Sequence, residues 1–178
     1  RGWFRRKAKP KTEPPMAEEL ENRLVLRNGH CEVVFDKYKG IIRGINDYRT
    51  RGPRLAQQVA LRIPDVTEQD AGDEAHYTIP AADSWQITSA GPVVGEICCQ
   101  GRLMSREGKR MAGFRQTTRL WRGSRVVEIE ITLEPDTEPG PNPWNSYYAV
   151  RFAWNDATAN LYRSAGQLNY PTDTNLLE

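Results

Sequence analysis

An antiparallel all-β fold, with two sheets packed as a sandwich, is what these 178 residues predict. Three observations carry that reading. Short runs of alternating apolar and polar residues recur along most of the chain, the period of a strand with one face buried. Turn signals such as Asn28-Gly29, Lys39-Gly40, Gly91-Pro92 and Gly123-Ser124 separate the runs. No segment sustains helical periodicity between caps.

The elements follow in order. Residues 1–19 mix basic residues with Pro10, Pro14 and Pro15 and read as a linker or tail, with order expected from near Leu20; residues 20–178 form the sandwich domain. Arg23 to Arg27 and His30 to Phe35 make a hairpin around Asn28-Gly29, and Ile41, Ile42 and Ile45 follow the next turn. Gln57 to Ile63 places Val59, Leu61 and Ile63 on one face until Pro64 stops it. Residues 65–83 are polar and acidic and are read as one long loop. Strands are then expected at Trp85 to Ser89, Val93 to Met104, Gly113 to Arg122, Arg125 to Glu134, Tyr147 to Trp154 and Asn160 to Ser164. Pro135 to Pro143 is a loop, and no internal repeat is evident.

Charge restricts the partners. Net charge is +2, yet residues 1–11 hold six Lys or Arg and no acid, which leaves −4 on the remainder. An acidic body argues against a nucleic-acid-binding face. No apolar run reaches the ~20 residues of a membrane helix, and no apolar core follows the basic start as a signal peptide would require. Cys31, Cys98 and Cys99 are an odd number with two adjacent, so they read as buried thiols of a reducing compartment, pointing to the cytoplasm. With only His30 and His76 and no metal-ligand spacing, no metal site is expected within the chain.

Two patterns invite chemistry. Glu128 and Glu130 lie two apart in a strand, with Cβ atoms roughly 7 Å apart, inside the range of glycosidase carboxylates. Val127, Ile129, Ile131 and Leu133 form the core face of that strand, so the glutamates fall on its wet face, opposite the arginines of residues 113–122. Charge pairing there is the reading, because a catalytic acid needs burial to raise its pKa. Pro143 to Tyr148 is the second pattern. Trp144, Tyr147 and Tyr148 offer rings that stack on a sugar, and Asn145 offers hydrogen bonds to its hydroxyls. Trp85, Trp121 and Trp154 sit inside strand patterns and read as core, and Trp3 belongs to the tail. His76, near Asp73 and Glu74, is the one place for a mutarotase-type acid and base.

A family resemblance rests on ordered segments. Leu20-Glu21-Asn22-Arg23-Leu24-Val25-Leu26, then His30 to Asp36, then Gly40 to Ile45, resemble the opening of the β-domain of glycoside hydrolase family 38, the α-mannosidases. Arg54 to Gln58, Trp85 to Val94, residues 113–133 and Asn145 to Phe152 resemble later segments of that domain in the same order. The resemblance implies a galactose-mutarotase-like supersandwich, C-terminal to a catalytic barrel and a helical bundle. It places the zinc ligands and the aspartate nucleophile in the barrel, so no catalytic residue carries over to this sequence. It implies an accessory domain of a larger enzyme that hydrolyses α-mannosidic bonds, with the α-mannoside glycan and that barrel as partners. The alternatives are an autonomous carbohydrate-binding module and a mutarotase-like sugar-processing domain.

Overall fold

The computed structural model describes residues 14–21, 23–50, 52–63, 73–155, 160, 162–165 and 168–171. It is an antiparallel β-sandwich. Ala17–Leu20 (β1), Arg23–Arg27 (β2), Cys31–Asp36 (β3), Ile41–Asp47 (β4), Pro53–Arg62 (β5) and Tyr147–Trp154 (β10) form one sheet, in that spatial order. Ile79–Ala90 (β6), Val94–Met104 (β7), Arg110–Trp121 (β8) and Val127–Pro135 (β9) form the other. Tyr162–Ala165 (β11) and Leu168–Pro171 (β12) pair with each other.

Three expectations are corrected. Order does not wait for Leu20: Met16 and Ala17 are buried, and β1 pairs with β2 from Ala17↔Leu26 to Leu20↔Arg23. Residues 79–83 are strand rather than loop, because the long β7 offers partners from Met104 onward. Register shifts at Ala82/Ser84 and Ile87/Ser89 interrupt the alternation that would have marked β6. Pro80 is tolerated because β6 is an edge strand. Of the rest of the expected loop, Asp73–His76 form a short 3-10 turn, and residues 65–72 lie outside the described residues. Third, Trp121 is not core. It lies on the outer face of β8, 41% exposed, and donates to Glu128 Oε1 at 3.0 Å. Trp154, expected in the core, is 39% exposed.

The core lies between the sheets in two clusters. Leu24, Leu26, Val33, Phe35 and Ile42 meet Ile97 and Leu120 at one end. Val59 and Leu61 meet Cys99, Leu103, Ala112 and Phe114 at the other. Trp85 packs edge-on to Phe35 at 5.5 Å and donates its indole N–H to Lys37 O at 2.9 Å. Polar pins join the layers. The buried amides of Gln57 and Gln116 exchange hydrogen bonds of 3.0 Å each way. Asn28 Oδ1 accepts the His30 and Cys31 amides, while its Nδ2 donates to Trp121 O and Ser124 O, both at 2.7 Å. One asparagine therefore closes the β2–β3 turn and ties it to the β8–β9 hairpin. Gly101 sits where a Cβ would meet Ala81 O at 2.5 Å and Phe114 Cζ at 2.7 Å, so only glycine lets β6 and Phe114 approach.

The sandwich is open along one side. β9 and β10 are both edge strands. On β10, Tyr148 packs against the core, and Val150, Phe152 and Trp154 share its face by alternation. These three are 41%, 47% and 39% exposed. Phe152 lines, with Ile45, Leu55, Arg125, Val127 and Ile129, a hollow of about 450 Å³ between the two sheets.

Candidate functional site

The sugar-contact residues expected from sequence follow a rigid turn. Asn142 O accepts the Asn145 and Ser146 amides at 3.2 and 3.1 Å, and Asn142 Oδ1 accepts the Trp144 amide at 3.1 Å. Ser146 Oγ accepts the Gly140 amide at 2.7 Å, and Pro143 fixes φ at the bend. Trp144 is therefore held at the tip with its side chain 87% exposed. Asn145 contributes its carbonyl to Arg62 Nη1 at 3.3 Å.

The two tyrosines part company, as neighbours on a strand must. Tyr148 turns inward. Its hydroxyl donates to Thr137 O at 2.7 Å and lies 3.3 Å from Met111 O, and burial pushes its pKa up, helped by Asp136 and Glu138. Tyr148 is an anchor of the core, and its ring is not offered with Trp144. Tyr147 turns outward, and its hydroxyl meets that of Tyr77 at 3.3 Å.

Tyr77 belongs to a cluster the sequence did not announce. The Arg151 guanidinium lies 3.8 Å from its ring centroid and that of Arg62 lies 5.9 Å away. Arg151 grips Glu74 with two hydrogen bonds, of 2.9 and 2.6 Å. The Arg151 hydrogen bond holds the Glu74 carboxyl below its usual range. Glu74 therefore remains a carboxylate and stands as an ion-pair partner, not as the raised-pKa acid that a mutarotase-type site requires. His76 accepts the Ile63 amide through its carbonyl, and its Nδ1 is buried with no hydrogen-bond partner among the described residues. The side chain of Asp73 lies outside the described residues.

Glu128 and Glu130 sit on the outer face of β9, opposite Arg119 and Thr117. Arg119 donates to Glu130 at 3.0 Å and also binds Glu96. The Thr88 hydroxyl, and then Arg119, hold the Glu96 carboxyl low. Glu128 accepts from Trp121. Both glutamates are thus exposed and hydrogen-bonded on a wet sheet face.

Among the described residues, no three His, Cys, Asp or Glu gather as a metal site. Cys31, Cys98 and Cys99 are free and buried, and burial pushes Cys99 up to about 12. No described helix is long and apolar enough to cross a membrane. No protein-family model matches the chain, and no curated protein matches it.

Proposed function

We propose that this chain is the accessory β-sandwich domain of an α-mannosidase-like glycoside hydrolase, with a galactose-mutarotase-like supersandwich fold. The observation that carries the reading is the open side of the sandwich. Val150, Phe152 and Trp154 carry the inner-face pattern of a core strand yet stand about half exposed, in line with the hollow under β9. Full burial from an exposed start stabilises such side chains by about 1.5–3 kcal/mol each, so covering the part still exposed would add about 1 kcal/mol apiece. The ordered segments that resemble family 38 support a catalytic barrel as that neighbour.

The test is hydrolysis of an aryl α-mannoside. The isolated chain should be inactive. The longer polypeptide that carries a barrel should be active, and Phe152→Asp should cut its activity or loosen the domain in limited proteolysis. Turnover by the isolated chain would overturn the reading.

One observation favours a second reading, a carbohydrate-binding module. Trp144 is a wholly presented ring on a hydrogen-bonded turn, with Asn145 beside it. Stacking on an α-mannoside would shift its indole resonance and the Asn145 amide in a titration, and Trp144→Ala would abolish the Asn145 shift.

A further inference from the structure

The outer face of β2–β3–β4 carries a hollow of about 610 Å³ that no part of the account above uses. Its floor follows from the register. Val34 on β3 faces Val25 on β2 and Gly44 on β4, and a β-bulge at Val34/Phe35 puts Arg43 beside Gly44 on the outer side. Gly44 has no side chain and Val34 is short, so the middle of the sheet is sunken. Arg23 on β2 and Arg43 on β4 stand on either side with one strand between them. Alternate strands are about 10 Å apart, a gap within reach of two arginine side chains, and both line the hollow. Both are exposed, and neither has a hydrogen-bond or ion-pair partner among the described residues.

Asp36 and Lys37 also line the hollow, and three acids around it are held by their own contacts. Asp36 Oδ1 accepts the Tyr38 and Lys39 amides at 2.9 and 3.0 Å, which fixes the turn. Glu19 binds Lys37, and Glu18 binds Arg27. Tyr38 stands at the rim, 85% exposed, and Asn46 closes the far wall. Arg23, Arg43 and Lys37 bring three cations to the hollow against the one carboxylate of Asp36, and a guanidinium fork without a partner among the described residues suits a planar oxyanion. A bare phenol ring at the rim suits the apolar face of a sugar.

We propose that this hollow binds an anionic sugar, with Arg23 and Arg43 holding its phosphate or carboxylate and Tyr38 stacking on its ring. The proposal is independent of the mannosidase reading. Amide NMR of the 178-residue chain tests it, titrated separately with a hexose 6-phosphate, a hexuronate, inorganic phosphate and a neutral hexose. Saturable shifts at Tyr38, Val34 and Gly44 are expected with one of the anionic sugars, and which of the two binds tighter tells phosphate from carboxylate. Arg23→Ala and Arg43→Ala should each weaken binding by about tenfold. Arg43→Lys should recover only part of it, and added salt should weaken it further. Thermal melts of these exposed-site variants confirm that they remain folded. Equal binding of the neutral hexose, or affinity unmoved in Arg43→Ala, would overturn the anion site. Inorganic phosphate binding as tightly as both sugars, with no loss in Tyr38→Ala, would overturn the role of the ring.

Discussion

Gln57 and Gln116 are the only side chains of the two opposing sheets, among the described hydrogen bonds, whose buried amides satisfy each other across the core. Replacing Gln116 by Leu keeps the volume nearly constant but strands the Gln57 amide. A buried amide left without its partner costs about 1–3 kcal/mol per polar group. Gln57 is 2% exposed and Gln116 1%, so water does not substitute, and the upper half of that range applies, about 2–3 kcal/mol. Gln57→Leu strands Gln116 to a similar extent. The double variant leaves no orphan and adds apolar contact, so its loss should be within about 1 kcal/mol of wild type, against about 5 expected from adding the singles. Urea unfolding of the four proteins reads this directly. With an m-value of about 2 kcal/mol/M, each single should lower the midpoint by about 1 M and the double should return most of it. Additive losses in the double would refute the reciprocal amide pair.

Asn28→Asp keeps the acceptor for His30 and Cys31 but removes both donors to the β8–β9 hairpin; it should cost about 1–3 kcal/mol in urea melts and increase amide exchange at Ser124. Trp144→Ala should leave stability within about 0.5 kcal/mol, since the residue is 87% exposed, while removing the sugar-dependent shift of the Asn145 amide. Gly101→Ala drives a methyl into Ala81 O and Phe114, and should lower the melting midpoint by several degrees, consistent with about 1–3 kcal/mol. Cys99 has its folded pKa raised from 9.0 to about 12, so its contribution is full below 9.0 and is lost as pH rises toward 12. At pH 10 the loss is about 1.4 kcal/mol, and the fall in stability between pH 9 and 11 should be shallower in Cys99→Ala.

Where alternation and turn chemistry agree, the strands could be read from residues alone. Tyr147 to Trp154 has the same bounds in sequence and structure, and Asn28-Gly29 makes the expected turn. β6 escaped because two register shifts break its period, and β1 because four residues, Ala17 to Leu20, are too few to show one. Trp121 and Trp154 have strand patterns that suit a core, but a pattern does not tell which face is covered or which strand is the edge. The candidate site was legible in part. Trp144 is indeed set on a turn, while the divergence of Tyr147 and Tyr148 follows from strand alternation itself. The Glu74–Arg151 pair joins residues 77 apart with no local signal, and no sequence pattern says that Arg23 and Arg43 go unpaired across a bulged strand.

Turnover of an aryl α-mannoside tests the proposed role most directly, measured side by side for the isolated chain, for a longer polypeptide carrying the barrel that the proposal requires, and for the Phe152→Asp variant of that polypeptide. The proposal predicts an inactive isolated chain, an active long form and a weakened variant. An active isolated chain, or a long form with no α-mannosidase activity, would contradict it.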